Sequence, residues 1–223
     1  MLSEIILEDW GLTPYSVAFE RQKGLFDSAL ERKNSGLPAV NTLVFCEHPH
    51  VITLGKHGKA ANMLFDEAYL RDIGVECLRT NRGGDITYHG PGQLVCYPVF
   101  DLEQFGIGLK EYVFRLEEVV ILLLDGYGIK GERLNGASGV WLDTDNPAKV
   151  RKISAVGIKS SRYITMHGLS LNVNVDLEYF NLINPCGFTD RGVTSMEKEL
   201  RTSVSLEDVK ARLKEIFYFL FPR

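Results

Sequence analysis

The stretch that decides the fold is Arg82-Gly83-Gly84-Asp85-Ile86-Thr87-Tyr88-His89-Gly90-Pro91-Gly92-Gln93-Leu94-Val95-Cys96-Tyr97-Pro98-Val99. Its Gly90-Pro91-Gly92 segment strongly predicts a turn between two apolar, strand-like runs. Glycine permits positive φ and lets another backbone or a ligand approach closely. Two interpretations are therefore open: a glycine-rich hairpin with solvated polar groups, or the floor of a ligand pocket.

On both sides of this stretch, β-rich runs alternate with segments of helical periodicity. Strands are predicted at residues 4–8, 41–47, 50–54, 75–80, 129–134, 139–142, 151–158 and 169–176. Helices are predicted from Thr13-Pro14 to Asn34, over residues 65–73 and 109–124, and from Ser205 onwards. In the first helix we expect Thr13 as the N-cap and Pro14 at the first helical position. Hairpin-like strands with flanking helices predict an α+β fold, and residues 1–223 are expected to form a single domain because no linker composition divides them.

The run from Leu169 to Asp176 has the clearest strand pattern. Its alternate residues are apolar and polar: Leu169, Leu171, Val173 and Val175 against Ser170, Asn172, Asn174 and Asp176. This period of two predicts a strand with one face on the hydrophobic core.

The bulk composition narrows the classes of function. The chain has 223 residues, of which 45% are hydrophobic and 24% charged, as in an ordinary globular protein. Its formal net charge of −4 argues against nucleic acid as the main partner. An acidic protein partner would have to be met by a local basic patch. The first residues lack a secretory pattern and no apolar run approaches the ~20 residues that span a bilayer, so we expect a cytoplasmic protein without membrane association.

The cysteines differ in their local sequence. Cys46, Cys77, Cys96 and Cys186 show neither the paired spacing of a zinc site nor a secreted disulfide pattern, so no metal is expected. Cys46 and Cys96 lie in apolar strands, which is typical of a small buried residue. Cys186 stands in Asn184-Pro185-Cys186-Gly187, where proline and glycine predict a sharp turn that presents the thiol.

A cysteine nucleophile reacts as the thiolate, so a nearby cation or base must lower its pKa from about 8.5. The candidates are Lys152, Lys159 and His167. Lys159 lies near a predicted hairpin turn, where basic residues are usually solvated, and His167 could equally be a satisfied core histidine.

Lys152 is the unusual candidate. It enters an apolar strand on the same alternating face as Val156 and Ile158, where a lysine is costly unless it is paired. A buried lysine readily shifts its pKa and becomes chemically useful. The register is open because Gly157 is a candidate bulge position.

Four segments together carry a family resemblance. They are Arg82 to Leu94 followed by Tyr97-Pro98, Lys152 to Gly157, His167 to Asn172, and Pro185-Cys186-Gly187. In this order and spacing they resemble the lipoyl(octanoyl) transferase family, the octanoyl-[acyl carrier protein]–protein N-octanoyltransferases. The match runs from about Glu47 to Glu199, and its long central motif is specific.

The resemblance implies both a fold and a set of residue roles. The fold is a mixed β-sheet packed against helices, shared with the catalytic domains of lipoate and biotin protein ligases. The implied catalytic residues are Cys186, the acyl-thioester nucleophile, and Lys152, which lowers the pKa of that cysteine. The implied substrate-binding residues are Arg82, Gly83, Gly84, Asp85, Ile86, Thr87, Tyr88, His89, Ala155, Val156, Gly157, Gly168, Leu169 and Ser170.

The implied reaction moves an octanoyl or lipoyl group from acyl carrier protein, through a Cys186 thioester, to a lysine amine. The acceptors implied are the lipoyl domains of 2-oxoacid dehydrogenase complexes and the glycine cleavage H protein. Thioester exchange is nearly neutral in free energy and amide formation is downhill, so neither ATP nor another cofactor is required. The loop Gly55-Lys56-His57-Gly58-Lys59 fits this expectation, since it lacks the full phosphate-loop pattern.

Two other functions remain open at this point. An adenylate-forming lipoate or biotin ligase would share the fold and a glycine-rich loop, but it would use ATP and would not need Cys186. A non-catalytic module that binds acyl carrier protein or lipoyl domains would leave Lys152 and Cys186 unexplained. Acyl transfer in the absence of ATP would exclude the adenylate-forming ligase, and any turnover would exclude the non-catalytic module.

Overall fold

The structure is a computed structural model, and it describes residues 5–184 and 192–222. The strands are β1 Ile5–Leu12, β2 Asn41–Glu47, β3 Val51–Leu54, β4 Glu76–Arg79, β5 Ile86–His89, β6 Gln93–Val99, β7 Glu132–Leu134, β8 Ala137–Leu142, β9 Arg151–Ser161, β10 Ile164–Asn172 and β11 Gly192–Val193. The α-helices are α1 Tyr15–Asn34, α2 Glu67–Asp72, α3 Leu109–Asp125, α4 Met196–Leu200 and α5 Leu206–Leu220. Short 3₁₀ helices span Ala60–Asn62, Leu102–Phe105 and Leu177–Leu182.

The strands form two mixed sheets. In the large sheet the order is β1-β2-β6-β10-β9-β8-β7, and β11 pairs with β9 outside this path. The small sheet has the order β4-β3-β5. Parallel pairs occur at β1–β2, β11–β9 and β3–β4, and the other pairs are antiparallel. This architecture confirms the predicted α+β class with a mixed sheet packed against helices.

One face of the large sheet packs against α3 and α5. Leu169, Leu171 and Val173 lie in this core, as their alternation predicts. Ser170 and Asn172 point to the opposite face, where they line a cavity. The apolar stripe of α3 closes the core from the other side because its residues recur at helical spacing.

The opposite face of the large sheet is covered partly by α1, through Ala18 and Phe26. The small sheet has a core of its own, in which Ile52, Leu70 and Tyr88 pack against residues 175–183. The two sheets therefore face each other across a gap, and each is supported by a separate hydrophobic cluster.

The Gly90-Pro91-Gly92 turn does not close a hairpin, so the hairpin interpretation is wrong. β5 pairs with β3 in the small sheet, whereas β6 lies between β2 and β10 in the large sheet. The turn therefore carries the chain from one sheet to the other. Gly92 has a φ of 81°, and a Cβ there would lie 2.7 Å from the backbone of Asn174, so glycine is required.

The start of the chain differs from the prediction by a few residues. β1 does not end at Asp9 but continues to Leu12 through an irregular pairing in which Gly11 has a φ of 57°. Pro14 occupies the N-cap position of α1, so the helix begins one residue later than predicted, and the Thr13 hydroxyl donates to the Trp10 carbonyl at 2.7 Å instead of capping the helix. At the other end of the chain, Ser205 caps α5 by accepting the Asp208 N–H, as its sequence predicts.

None of the helices in residues 5–184 and 192–222 is long and apolar enough to cross a membrane.

Candidate active site

A cavity lies between the small sheet and the face of the large sheet that is turned away from α3 and α5. Its empty volume, including solvent at its mouth, is about 870 Å³. The wall on the small-sheet side consists of Arg82, Gly84, Asp85, Ile86, Thr87 and His89. The wall on the large-sheet side consists of Gln93, Val95, Tyr97, Lys152, Ala155, Val156, Gly157, His167, Gly168, Leu169, Ser170 and Asn172. Tyr15, Ser138, Phe180 and Val193 complete the lining.

The structure brings most of the candidate residues to this cavity. The three segments named from sequence, residues 82–89, 155–157 and 168–170, come from different sheets and converge here. Gly83 and Tyr88 are the two candidates from these segments that do not line it. The pocket interpretation of the central stretch thus agrees with the geometry, although the role of each residue is still a prediction.

Tyr88 faces the core of the small sheet. It is 0% exposed, and its hydroxyl pairs with Nδ1 of His50 at 2.7 Å. Its ring stacks on Tyr179 with the centroids 5.3 Å apart. Because side chains alternate along a strand, the neighbouring Thr87 and His89 point the other way, into the cavity. The expected contact between Tyr88 and substrate is therefore not supported by the structure.

Gly83 and Gly84, which follow Arg82, lie where the small-sheet loop meets the large sheet. The Gly83 N–H donates to the Ile158 carbonyl of β9 at 2.9 Å, which ties the small-sheet loop to the large sheet. Gly84 lines the cavity with a φ of 88°, a conformation that side-chain-bearing residues rarely adopt. A side chain at residue 84 would therefore strain the backbone as well as enter the cavity.

Arg82 is held rigidly in the wall. Its Nη2 donates to the Thr53 carbonyl at 2.7 Å and to the Thr53 hydroxyl at 3.0 Å, and its Nη1 donates to the Gly83 carbonyl at 3.0 Å. The residue is only 8% exposed. A fixed, buried guanidinium gives this side of the cavity a positive potential, which suits a carbonyl or an anion.

The position of Lys152 is set by a β-bulge. Val140 of β8 is opposite Ser154, whereas the next residue, Trp141, is opposite Lys152, so Ile153 is an extra residue on β9. Ile153 is buried in the core with α3 and α5. The Lys152 Nζ lies 4.4 Å from the ring centroid of Trp141, within the range of a cation–π interaction.

The bulge changes which face Lys152 occupies. Val156 and Ile158 both pack against the core of α3 and α5, and of these two only Val156 is also part of the cavity lining, whereas Lys152 lines the cavity together with Ala155 and Gly157. The prediction that Lys152 shares a face with Val156 and Ile158 is therefore wrong. The bulge is also not at Gly157, which pairs regularly with β10.

A chain of side-chain amides supports the base of the cavity. The Gln93 amide donates to Asn172 Oδ1 at 2.8 Å, and its Oε1 accepts from His89 Nδ1–H at 2.6 Å. The Asn172 amide in turn donates to the Thr194 carbonyl at 2.9 Å. Because Nδ1 of His89 is the donor, its Nε2 is the acceptor nitrogen of the neutral ring.

Three histidines around the cavity are kept neutral by burial. Burial lowers the pKa of His48 to about 4, and that of His89 and of His167 to about 3. The Nδ1–H of His48 donates to the Thr13 carbonyl at 2.7 Å, so its Nε2 accepts from the Tyr97 hydroxyl, also at 2.7 Å. Neutral imidazoles at these positions can accept or donate hydrogen bonds, but they supply no positive charge.

His167 is therefore unsuited to stabilise a thiolate as a cation. It has a φ of 62° and is 2% exposed, and its Nε2–H donates to Asn81 Oδ1 at 2.7 Å. The other basic candidate, Lys159, has its Nζ 4.9 Å from the ring centroid of Phe26. Lys152 and the neutral His167 both line the cavity and Lys159 does not, so Lys152 is the candidate that can act there as a cation.

Cys186, the candidate nucleophile, lies outside the described residues. The three cysteines within them are unsuited to nucleophilic attack. Cys46 and Cys96 are 0% exposed, as expected from sequence, and burial raises the pKa of Cys46 to about 12 and that of Cys96 further still. Burial also raises the pKa of Cys77, and the Cys77 thiol contacts the Met63 sulfur at 3.5 Å.

Several lining residues carry no motif that sequence analysis would have singled out. They are Tyr15, Val95, Ser138, Phe180 and Val193. Asn172 is different, because its alternation with Leu171 already places it on the face of β10 away from the core. Ser170 and Asn172 share this polar face of the strand, but the predicted substrate-binding residues end at Ser170.

Comparison with known proteins agrees with this geometry. Residues 14–218 match the lipoyl protein ligase A/B catalytic domain family. The chain belongs to this family. One relative, the octanoyltransferase of Bacteroides fragilis strain YCH46, is 55% identical over 208 residues, covering 93% of this chain and 94% of the relative.

Solved structures of lipoate and biotin protein ligases share the fold. A bipartite lipoate protein ligase from Thermoplasma acidophilum superposes with a TM-score of 0.72 at 17% identity, covering 98% of this chain and 84% of that one. The apo biotin protein ligase of Aquifex aeolicus is more distant, with a TM-score of 0.50 at 13% identity over 98% of this chain and 68% of that one. The implied fold, shared with lipoate and biotin protein ligases, is thus confirmed.

Proposed function

We propose that this protein is an octanoyltransferase that passes an octanoyl group from acyl carrier protein to the lysine of a lipoyl domain, through a thioester on Cys186. The observation that carries the proposal is a cavity lined by Lys152 together with residues 155–157 and 168–170. The octanoyltransferase relative, 55% identical over nearly the whole chain, supports the same chemistry. Because the lining extends from Tyr15 to Val193, we expect residues 1–223 to act as one catalytic domain.

The reaction proceeds in two steps. The Cys186 thiolate attacks the carbonyl of the acyl thioester, a new thioester forms, and the thiol of the carrier arm leaves with a proton. The lysine amine of the lipoyl domain then attacks the acyl-enzyme, an amide forms, and the Cys186 thiol is regenerated. Splitting the transfer in this way replaces one difficult step by two easier ones.

The described residues next to Cys186 in sequence support its pairing with Lys152. Asn184 is held by a hydrogen bond from its N–H to the Asn62 carbonyl at 2.8 Å. On the other side of the sequence gap, Val193 of β11 pairs directly with Lys152 of β9, and the Thr194 N–H donates to the Lys152 carbonyl at 2.9 Å. The segment that contains Cys186 is therefore attached at its far end to the strand that carries Lys152.

Lys152 has two roles in the proposed mechanism. Its ammonium group lowers the pKa of Cys186 by stabilising the thiolate. When the carrier arm leaves, the ammonium gives its proton to the departing thiolate, and the neutral amine so formed accepts the proton of the incoming lysine amine as a general base. The Arg82 side chain packs against Gly157 of β9, where a Cβ would lie 3.4 Å from its Cδ, so the fixed guanidinium lies at the junction of the two walls.

The octanoyl group also requires apolar surface, and the cavity offers it. Val95 and Ala155 contribute aliphatic side chains from the large sheet, and the methyl group of Thr87 contributes one from the small sheet. Burying an aliphatic chain contributes about 0.8 kcal/mol per methylene. These side chains come from both walls, so the chain would be enclosed between the sheets.

The test is the intact mass of the protein after mixing with octanoyl-acyl carrier protein and no ATP. We expect one octanoyl adduct that maps to Cys186, is absent in Cys186→Ala, and disappears when a lipoyl domain is added. An adduct on Cys46, Cys77 or Cys96 would overturn the assignment. Transfer that requires ATP and free octanoate would instead identify an adenylate-forming ligase, and binding without any adduct would identify a non-catalytic module.

A further inference from the structure

Four exposed basic side chains cluster at one end of the small sheet. Lys56, His57 and Lys59 follow β3, and Arg79 ends β4 opposite Leu54. Because β3 and β4 are parallel, their carboxyl ends meet at the same edge. No salt bridge involves Lys56, Lys59 or Arg79 among residues 5–184 and 192–222.

The backbone holds this cluster against the cavity wall. The Lys56 N–H donates to the Arg82 carbonyl at 2.9 Å, and the His57 N–H donates to the Gly84 carbonyl at 3.1 Å. A Cβ on Gly55 would lie 2.5 Å from the Gly84 carbonyl oxygen, so the loop can approach the wall this closely only with glycine there. The cations are therefore fixed beside Gly84, which is exposed and also lines the cavity.

Carboxylates also lie beside the cluster, and they decide where its positive charge is concentrated. Asp85 Oδ1 accepts the backbone N–H of Lys59 at 3.0 Å, and its Oδ2 accepts the Asn62 side-chain amide. Asp66 and Glu67, between Phe65 and Tyr69 in sequence, are also exposed, so the positive charge is concentrated on the loop that carries Lys56 and Lys59, on a chain whose net charge is −4. A positive area on a negative protein concentrates the field on one partner surface.

Apolar side chains border the cluster. Phe65 and Tyr69 are 41% and 45% exposed, and their rings stack with the centroids 4.8 Å apart. The chain between them and the basic loop is tied to the segment that ends at Asn184, since the Leu64 N–H donates to the Leu182 carbonyl at 3.0 Å. Exposed aromatic residues beside charges are typical of a protein interface.

We infer that Lys56, His57, Lys59, Arg79, Phe65 and Tyr69 form the docking surface for the acyl carrier protein. The inference rests on the proposed function and names the place where the donor binds. An acyl carrier is a small acidic protein that presents its acyl thioester on a phosphopantetheine arm. Its acidic side chains match the four basic residues, and its apolar side chains match the two aromatic rings.

The phosphate of the arm favours the carrier over the lipoyl domain as the occupant. The phosphodiester carries a negative charge at the base of the arm, next to the carrier surface. It would meet the cations beside Gly84 while the thioester end enters the cavity. The lysine arm of a lipoyl domain has no phosphate, so its binding would not require positively charged side chains at this edge.

The experiment compares two double variants that change the net charge equally. Lys56→Glu/Lys59→Glu alters the docking surface, and Lys110→Glu/Lys214→Glu alters the exposed Lys110 of α3 and the partly exposed Lys214 of α5, across the large sheet from the cavity. Acyl-enzyme formation is measured at low and high salt with octanoyl-carrier protein and with octanoyl-N-acetylcysteamine, which lacks both carrier and phosphate. Binding of unacylated holo-carrier is titrated separately, so that docking is measured without turnover.

For the docking-surface variant, we expect the KM for the octanoyl carrier to rise about tenfold at low salt, with the difference shrinking in high salt. The kcat, the rate with the small donor and the KM for a lipoyl domain should stay as in the parent, and holo-carrier binding should weaken by the same factor. Unchanged carrier binding, an equal effect in the control variant, or a selective rise in the KM for the lipoyl domain would overturn the inference. If the small donor forms no adduct with the parent protein, the proposed function fails, whereas the carrier titration still tests the docking surface.

Discussion

Acidification to pH 5 should destabilise this protein strongly, because His48, His89 and His167 are neutral in the folded state. In the unfolded chain a histidine has a pKa of about 6.5. Burial lowers the folded pKa of His48 to about 4 and that of the other two to about 3. Between pH 6.5 and 4 the unfolded state therefore binds more protons than the folded state, and stability falls as the pH falls.

The magnitude follows from the unfolded chain alone. At pH 5 the folded rings are still neutral, so the loss is set by how far pH 5 lies below about 6.5. Each histidine then costs about 2 kcal/mol relative to pH 8, and the three together cost about 6 kcal/mol. A typical domain has a stability of only about 5–15 kcal/mol, so this loss is large.

Urea unfolding between pH 8 and pH 5 measures this effect. With an m-value of about 3 kcal/mol/M, the midpoint should fall by roughly 2 M. The carboxylates Glu132 and Glu199, whose pKa values are lowered by Lys130 and Arg151 respectively, lose their contributions only at lower pH. The interval from pH 8 to pH 5 therefore reports mainly on histidines.

Single variants assign the effect to individual rings. His167→Gln should reduce the difference in unfolding free energy between pH 8 and pH 5 by about 2 kcal/mol, whatever its effect at pH 8. His57→Gln is the matched control, because His57 is exposed in the basic loop. A midpoint that stays constant from pH 8 to pH 5, or a slope that disappears in His57→Gln, would refute the reasoning.

Three further predictions concern the cavity. Lys152→Met should shift the pH profile of Cys186 alkylation upward by one pH unit or more, and one unit corresponds to about 1.4 kcal/mol. The profile of Lys159→Met should overlay that of the parent protein. The reverse pattern would mean that the wrong lysine was chosen. Ala155→Leu should slow acylation by octanoyl donors more than acylation by butyryl donors, because Ala155 lines the cavity. The melting temperature should change little, because Ala155 lies in a regular part of β9. Equal slowing with both donors would contradict the placement of the acyl chain. Gln93→Met should lower the free energy of unfolding by about 1–3 kcal/mol in urea titrations, because it leaves buried polar partners unsatisfied, and a neutral result would exclude the amide network as a support of the cavity.

Sequence patterns predicted the elements better than their pairing. The alternation from Leu169 to Asn172 identified both faces of β10 correctly, because period-two burial is a local property, but β10 spans Ile164–Asn172 instead of 169–176, and Val175 packs in the core of the small sheet. The hairpin interpretation of Gly90-Pro91-Gly92 failed because a turn does not encode which sheet receives the next strand. That choice depends on β3 and β10, which are distant in sequence.

The candidate site shows the same limit. The segments 82–89, 155–157 and 168–170 were identified through their resemblance to a family, and the fold brings them together. The face of Lys152 was not predictable, because one extra residue at Ile153 inverts the alternation of β9. Tyr88 was included with its motif, although its place in a strand assigns it to the opposite side from Thr87 and His89.

The separate core of the small sheet has a consequence for motion. Strands β3, β4 and β5 come from one continuous stretch, residues 51–89, whereas the large sheet joins strands from β1 to β11. A unit with its own core and local pairing can open at a lower free energy than the rest of the molecule. In native-state hydrogen exchange we expect the amides of β3 and β5 to exchange together and before those of β6 and β10. The small-sheet wall of the cavity would then open as one unit, while the large-sheet wall, which carries Lys152, stays folded.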